Sequence, residues 1–272
     1  MKNPHLARSA LFVPATRPDR ITKALSSQAD AVIVDLEDAV APQDKDSARA
    51  AMSAALQFLS PSRSSLWVRI NSQSPWYASD LAACASLQAV DAIMVPKAET
   101  TAQMNDAQAR SGGKPLVALI ESAAGFAQRD ALAAHPAVQR LAFGTIDFQH
   151  DLGIAGDGQA LLMFRSALVL TCRLSGRPGP LDGVTVDLRD TQRVAADASA
   201  ARELGFGGKL CIHPQQVATV NAAFSASPEQ LQWAERVVRA SQAAAGAAVA
   251  VDGTMVDRPV LLRAQALLAQ RD

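Results

Sequence analysis

Two carboxylates stand just past successive apolar runs of the chain. Glu121 follows "LVALI" (116–120), and Asp147 stands three residues after "LAFG" (141–144). If these runs are neighbouring parallel strands, the two side chains lie on the order of 5 Å apart at one edge of the sheet. Neither acid has a Lys or Arg beside it in the sequence. Their repulsion would raise one pKa unless a cation lay between them.

The residue types around this pair indicate which cation it would take. Mg²⁺ prefers oxygen ligands and is commonly held by one or two carboxylates, with water and substrate oxygens completing the octahedron. The sequence has no His cluster or Cys pair that would indicate zinc. Two alternatives stay open at this point: a salt bridge from Glu121 to Lys97 or Arg69, and a helix-capping role for Asp147.

Charged side chains also follow other apolar runs. Arg69 and Lys97 would complement an anionic substrate, Arg69 by a bidentate grip on a carboxylate. Pairing of these two cations with Glu37 and Asp38 is an equally good interpretation. The polar residues that stand near the ends of the other runs are Arg17, Asp35, Asn71, Glu99, Asp187 and His213.

The elements that must position these residues follow from hydropathy. Eight short apolar runs alternate with Ala-rich segments of helical spacing, and they lie at 9–13, 31–35, 66–70, 92–96, 116–120, 141–144, 183–187 and 208–212. Such a pattern is typical of parallel strands covered by helices on both faces. It predicts a (β/α)8 TIM barrel, with a doubly wound open sheet as the alternative. The intervals after the second and sixth runs are longer, which predicts extended connections there. Barrel enzymes carry their chemistry at the C-terminal strand ends, so the listed residues would share one rim.

Composition limits the function classes. The 272 residues carry 26 basic and 26 acidic side chains, and this balance disfavours nucleic acid or an anionic membrane surface as a partner. No apolar stretch approaches the roughly 20 residues of a membrane span. Three scattered cysteines disfavour a disulfide framework. We therefore expect a soluble cytoplasmic protein with a small-molecule substrate.

Read in order, the motifs carry a family resemblance. They are "RSALFVPATRPDRITKAL", "ADAVIVDLEDAVAPQDKDSAR", "WVRINS", "DAIMVPKAE", "ALIESAAG", "LAFGTIDFQHDLG", "ELGFGGKLCIHPQQ" and "DGTMVDRP". The ordered set resembles the citrate lyase beta-subunit family of the HpcH/HpaI aldolase superfamily, which includes malyl-CoA, citramalyl-CoA and citryl-CoA lyases. The match runs from about residue 8 to residue 264, nearly the whole chain.

The resemblance implies a (β/α)8 barrel that binds Mg²⁺ and cleaves or forms a C–C bond between an acetyl thioester and a small α-keto acid. Glu121 and Asp147 fall on the family's metal ligands, and Arg69 on its keto-acid-binding arginine. Asp257, in "GTMVDRP", falls on an acid/base aspartate. In related lyases the segment that carries this aspartate covers the active site of a neighbouring subunit.

The substrate-binding prediction extends beyond Arg69. Arg17, Arg20 and Lys23 fall where relatives contact the phosphates and pantetheine of the thioester, and Lys97, Glu37 and Asp38 follow neighbouring strands. Three positions depart from the family pattern: Ala15 and Ile146 replace its usual glycine and acid, and Ala124 stands where many relatives have arginine. Ile146 and Ala124 could alter substrate choice through the surroundings of the metal.

The resemblance also suggests domains, an assembly and competing functions. We expect a catalytic barrel over 1–224 and a C-terminal helical arm over 225–272 that packs on a neighbouring subunit of a homotrimer or hexamer. The leading function is a stand-alone CoA-thioester lyase acting on citramalyl-CoA or malyl-CoA. The alternatives are the citryl-thioester lyase beta subunit of a citrate lyase complex, which uses an acyl carrier, an HpaI-like aldolase on free hydroxy-keto acids, and a non-catalytic scaffold.

Overall fold

A computed structural model describes residues 7–57, 59, 62–244 and 248–269 of the chain. Eight strands form a closed barrel in sequence order, and every neighbouring pair is parallel, including the first strand with the last. The predicted (β/α)8 architecture is therefore confirmed, and the open-sheet alternative is wrong. The strands are β1 (Ser9–Pro14), β2 (Ala31–Asp35), β3 (Ser65–Arg69), β4 (Ala92–Val95), β5 (Leu116–Ile120), β6 (Val138–Phe143), β7 (Leu181–Asp182) and β8 (Gly208–Cys211).

Helices surround these strands. They are α1 (Pro18–Leu25), α2 (Lys45–Gln57), α3 (Tyr77–Ser86), α4 (Thr101–Arg110), α5 (Ala123–Ala127), α6 (Arg129–Ala134), α7 (Thr145–Leu152), α8 (Leu162–Leu174), α9 (Thr191–Leu204) and α10 (Pro214–Phe224). The connections after β2 and β6 are extended as predicted, by 3₁₀ turns at Pro42–Asp44 and Gly158–Leu161 and by the extra helix α7.

The strands bury side chains on both faces, which explains why they read as continuous apolar runs. One face packs inside the barrel around Trp67, Ile33, Met94 and Leu119, with small alanines filling the remaining space. The Trp67 indole N–H donates to the Ser65 hydroxyl at 2.8 Å, so this buried ring leaves no polar atom unsatisfied. The other face packs against the helices.

The seventh strand is displaced from its predicted place. The β-branched run 183–187 predicts a strand, whereas β7 consists of Leu181–Asp182 alone. The reason is tertiary: the carbonyl oxygens of Gly183 and Thr185 accept from Lys209 Nζ and Gln216 Nε2, at 2.7 and 2.9 Å, instead of from a neighbouring strand. Asp182 replaces Asp187 as the acid that ends the strand. Asp187 instead caps a surface turn by accepting from the Arg189 and Asp190 amides.

The chain forms two compact units, Met1–Asn221 and Ala222–Asp272. The second unit contains α11 (Pro228–Ala243), a hairpin of β9 (Val249–Val251) and β10 (Thr254–Val256), and α12 (Arg258–Leu268). Its own small core is formed by Ala234, Val237, Val251, Val256 and Ala264. In neither unit does a described helix combine the length and apolar character that crossing a membrane requires.

Candidate active site

Glu121 follows β5 directly and is nearly buried, with 3% of its surface exposed. The backbone N–H of Lys97 donates to its Oε1 at 2.8 Å. Lys97 has a positive φ of 47°, a conformation that is uncommon outside glycine. This turn after β4 places an amide, rather than the ammonium, on the carboxylate. Among the described ion pairs none joins Glu121 to Lys97 or Arg69, so the salt-bridge alternative is wrong for these residues.

Gly144, between β6 and α7, gives Glu121 its space. A Cβ at this position would lie 2.6 Å from both Cβ and Oε2 of Glu121. The glycine is therefore required by close approach and not by its backbone angles, since its φ is −86°. Asp147 lies three residues later, in the first turn of α7 and half-buried. The N-cap of α7 is Gly144 and not Asp147, which leaves the Asp147 carboxylate for another partner.

Electrostatics disfavour the ionised form of Glu121 in the protein alone. Burial, reinforced by the nearby charges of Glu37 and Asp147, raises its pKa from 4.5 to about 8, against the opposing effects of the Lys97 amide and Arg69. Across the described ranges, no group of three His, Cys, Asp or Glu side chains is arranged to hold a metal. A cation here would be bound by two protein carboxylates and would take its other ligands from water or substrate, which is the typical coordination of Mg²⁺ in proteins.

Arg69, the last residue of β3, is held mainly by Asp35 at the end of β2. Its Nε and Nη2 donate to the two Asp35 oxygens at 2.8 and 2.7 Å. Nη1 lies 2.9 Å from Glu37 and 3.2 Å from Asp38, and the guanidinium stacks 4.9 Å from the Phe12 ring centre. Burial opposes its charge, but the Asp35 contacts together with Glu37 and Asp38 raise the pKa of Arg69 above its usual value.

Glu37 links Arg69 to the β4 exit. Its Oε1 lies 3.2 Å from Lys97 Nζ, so the predicted alternative of pairing with strand-two acids is confirmed for both cations. Burial raises the pKa of Glu37, while Arg69 and Lys97 oppose the rise. When all are ionised, negative groups exceed positive ones by two around this mouth, counting Asp35, Glu37, Asp38, Glu121 and Asp147 against Arg69, Lys97 and Lys45. Such a balance favours a divalent cation.

Sequence reasoning left several supporting residues without a role. Asp35 is the principal partner of Arg69, and its position as a buried acid ending an all-apolar strand was the available signal. Asp80, fully buried on α3, accepts from the Asn71 backbone and side-chain amides at 2.9 and 2.8 Å. Arg49 of α2 completes this contact at 2.7 Å. These bonds hold the β3 exit from behind.

The exits of β6, β7 and β8 contrast with the charged half of the mouth. Ile146, Val186, Leu188 and Ile212 leave 50, 65, 42 and 37% of their surfaces exposed. Ile146 adjoins Asp147 where the family pattern has an acid. Asp151, further along α7, accepts from the Ala123 amide at 2.7 Å and so caps the start of α5.

The cationic residues assigned to the thioester lie at the start of the barrel. Arg17 pairs with Asp19 at 2.9 Å on the exposed surface before α1. Arg20 and Lys23 are exposed on that helix. The role of these three residues in binding stays a prediction.

Asp257 belongs to the second unit. It is the N-cap of α12, and its Oδ1 accepts from the Val260 amide at 3.2 Å while the side chain is exposed. Its place in a reaction also stays a prediction.

Comparison with known proteins now identifies the family. The HpcH/HpaI aldolase/citrate lyase family profile matches residues 8–214. The chain belongs to this family. Its members include relatives that align along almost their whole length. A (3S)-malyl-CoA thioesterase of Cereibacter sphaeroides is 35% identical over 98% of this chain and 95% of the relative. The citrate lyase subunit beta of Leuconostoc mesenteroides subsp. cremoris is 32% identical over 98% and 94%.

A solved structure of the HpcH/HpaI family is similar throughout. The CitE protein of Mycobacterium tuberculosis, in complex with magnesium, acetoacetate and coenzyme A, has a TM-score of 0.85 and 35% identity over 97% of this chain and 98% of its own. The resemblance stated from the motifs is therefore confirmed, as is the expected class of enzyme, a lyase of aldolase type. Magnesium in the solved relative agrees with the oxygen-only donor pair of Glu121 and Asp147.

Proposed function

We propose that this protein is a magnesium-dependent carbon–carbon lyase. It would cleave or form a 3-hydroxyacyl thioester, citramalyl-CoA or malyl-CoA, and interconvert it with an acetyl thioester and a small α-keto acid. The observation that carries the proposal is the pair of carboxylates that follow β5 and β6, the buried Glu121 and the half-buried Asp147, at the same barrel mouth as Arg69. The magnesium, acetoacetate and coenzyme A bound to the CitE relative support it.

Glu121 and Asp147 would hold Mg²⁺. When bound, the ion supplies positive charge for the oxygen on which negative charge develops during C–C cleavage. Arg69 would bind the carboxylate of the keto acid. Its contact with Asp38 is the one a substrate can displace, because Asp38 leaves 59% of its side chain exposed whereas the Asp35 side chain leaves 2%. Asp35 would keep the guanidinium in place during that exchange.

The reaction requires two proton movements. In cleavage a base takes the proton from the hydroxyl, the C–C bond breaks, and its electron pair passes to the thioester fragment as an enolate. The enolate carbon then takes up a proton, and we assign that donor to Asp257. Its hydrogen bond to the Val260 amide is exposed, so the carboxylate can exchange this partner for another.

For the thioester half we propose coenzyme A, bound with help from Arg17, Arg20 and Lys23. These cations complement phosphate oxygens. The coenzyme A in the CitE relative supports this choice over an acyl-carrier protein. An acyl-carrier substrate, as in a citrate lyase complex, predicts activity only with the carrier-bound thioester. An HpaI-like aldolase would cleave free hydroxy-keto acids and ignore coenzyme A.

A second candidate is hydrolysis of the thioester. It is favoured by the relative named (3S)-malyl-CoA thioesterase, which matches the whole barrel. The two reactions give different products from malyl-CoA. A lyase releases glyoxylate and acetyl-CoA, whereas a thioesterase releases malate and free coenzyme A, which a thiol reagent detects.

The test is incubation of the protein with Mg²⁺ and malyl-CoA, citramalyl-CoA or citryl-CoA, with keto acid, acetyl-CoA and free thiol followed together. We expect keto acid and acetyl-CoA in equal amounts, and loss of activity with EDTA. Asp147→Asn should abolish the activity, whereas Asp151→Asn, on the same helix, should keep it because Asn retains the cap on α5. Release of free thiol without keto acid would show that the protein is a thioesterase and not a lyase.

We also propose a homotrimer, or a hexamer built on trimers, in which the C-terminal unit packs on a neighbouring subunit. Light scattering after size exclusion measures the assembly, and removal of 225–272 should reduce it to smaller species. A cytoplasmic location is proposed with it. Free, buried thiols at Cys84, Cys172 and Cys211 support a reducing compartment.

A further inference from the structure

Lys45, the first residue of α2, reaches back to the loop that follows β2. Its Nζ donates to the carbonyl oxygens of Leu36 and Glu37, both at 2.7 Å. The side chain is buried, 6% exposed, with its ammonium 5.8 Å from the centre of the Trp76 ring. Burying an ammonium is costly, so this cation is expected to serve a definite purpose in the loop.

The two carbonyls belong to the peptide groups on either side of the Glu37 Cα. Each peptide group is planar, so holding both restricts φ and ψ of Glu37 and with them the direction of its Cα–Cβ bond. The Asn71 side-chain amide donates to the same Leu36 oxygen at 2.9 Å. The Glu37 N–H also donates to Asp35 Oδ1, and the Val40 N–H donates to the Glu37 carbonyl oxygen, both at 2.9 Å. Lys45 is the side chain that binds both carbonyl oxygens at once.

The direction of Glu37 matters because its carboxylate touches two cations of the mouth. It lies 2.9 Å from Arg69 and 3.2 Å from Lys97. We infer that Lys45 is a positioning residue, which aims Glu37 at Arg69 and Lys97 and thereby sets how firmly the barrel mouth binds the carboxylate of a keto acid. The inference rests on the proposed role of Arg69.

Loss of Lys45 should weaken keto-acid binding in two ways. Glu37 would no longer be held against Arg69, so the guanidinium would lose one of its neighbours. The region would also become more negative by one charge, which repels an anionic keto acid. Glu121 and Asp147 follow β5 and β6 and receive no hydrogen bond from Lys45, and the added negative charge attracts a cation, so the affinity for Mg²⁺ should not fall.

Lys114 offers a matched control. Its Nζ also donates to two carbonyl oxygens, of Leu87 at 3.1 Å and of Val90 at 2.8 Å. It precedes β5, so this second lysine clamp lies at the opposite end of the barrel from the strand exits. Lys114→Met removes the same kind of contact without touching the mouth.

The experiment compares Lys45→Met, Lys45→Arg and Lys114→Met in the full chain. Titration calorimetry measures Mg²⁺, and then pyruvate, glyoxylate and oxaloacetate at saturating Mg²⁺. We expect Lys45→Met to weaken binding of the keto acid that the wild type binds by about tenfold and to leave Mg²⁺ affinity at or above the wild-type value. Lys45→Arg should restore most of the lost keto-acid affinity. Lys114→Met should match the wild type in both titrations. Equal keto-acid affinity in Lys45→Met and Lys114→Met would overturn the inference.

Crystal structures separate this inference from the proposed function. If the wild type bound none of the three keto acids, the proposed function would fail. The inference about Lys45 would then still be tested by the position of the Glu37 carboxylate in crystal structures of the wild type and of Lys45→Met. A Glu37 carboxylate displaced from Arg69 in Lys45→Met supports it, and an unchanged contact refutes it. If Lys45→Met does not fold, Lys45→Gln, which removes the charge but keeps an amide N–H donor, takes its place in every measurement.

Discussion

Gly144→Ala adds a single methyl group at the junction of β6 and α7, next to a proposed metal ligand. The backbone tolerates it, since Gly144 has a φ of −86° and a ψ of 77°. The new Cβ would nevertheless stand 2.6 Å from Cβ and Oε2 of Glu121 and 3.4 Å from Leu119 Cδ1. Ordinary carbon contacts begin at about 3.5 Å, so the Glu121 carboxylate must move by roughly 1 Å.

That displacement sets the size of the effect. A ligand moved by roughly 1 Å, or deprived of its support, typically costs about 10- to 100-fold in metal affinity or rate. Overpacking at a buried site also destabilises the fold by about 1–3 kcal/mol. The reduced chain entropy of alanine in the unfolded state offsets about 0.4–1 kcal/mol of that loss.

Calorimetric titration of Mg²⁺ and a denaturant melt measure the two effects. Gly156→Ala is the control, because its Cβ would meet only Ala160 Cβ, at 3.4 Å. We expect the control to keep both Mg²⁺ affinity and stability. Wild-type Mg²⁺ affinity in Gly144→Ala would refute the reasoning, since it would show that Glu121 either is not displaced or does not bind the metal.

Three further perturbations test other parts of the site. Because Mg²⁺ must displace the Glu121 proton, the apparent affinity for Mg²⁺ should fall about tenfold per pH unit below about pH 8. Calorimetry in buffers of different ionisation enthalpy measures the released proton. Glu121→Gln should release none. The pKa of Glu121 is raised from 4.5 to about 8 in the folded state, so its contribution to stability is full below pH 4.5 and is lost as pH rises through about 8. Metal-free protein should therefore have a lower melting temperature at pH 8.5 than at pH 6.5. Addition of Mg²⁺ at pH 8.5 should restore the melting temperature. Asp257→Asn should abolish turnover and keep the melting temperature, because Asn still caps α12, whereas Asp257→Ala should also lose about 1 kcal/mol; full turnover in Asp257→Asn would remove it from the mechanism. The Lys209 ammonium lies 2.9 Å from Asp182, which is 2% exposed. Lys209→Met removes this partner of a buried carboxylate and should destabilise the barrel by about 3–5 kcal/mol in denaturant melts. A loss below about 1 kcal/mol would show that Arg165 alone satisfies Asp182.

Several elements of the fold were predictable because they depend on local pattern. Strands β2 and β5 lie at the predicted residues, since each is a continuous apolar run buried on both faces. The run 183–187 is also rich in β-branched residues but forms no strand, although Val184 packs against the barrel core. There the side chains of Lys209 and Gln216, which are distant in sequence, bind the carbonyl oxygens of Gly183 and Thr185 that a longer strand would pair.

The sequence by itself predicted the barrel and the rim on which the charged residues meet, because the apolar runs and the type of side chain that follows each run are local properties. The tertiary structure alone decided how those charges are satisfied. The Asp35 carboxylate accepts from Arg69, the Glu121 carboxylate accepts from the Lys97 amide, and the Lys45 ammonium donates to the Glu37 carbonyl oxygen. Each contact joins residues separated by at least eight positions. Burial and the few ångströms between such groups set their pKa values, and neither quantity can be read from spacing along the chain.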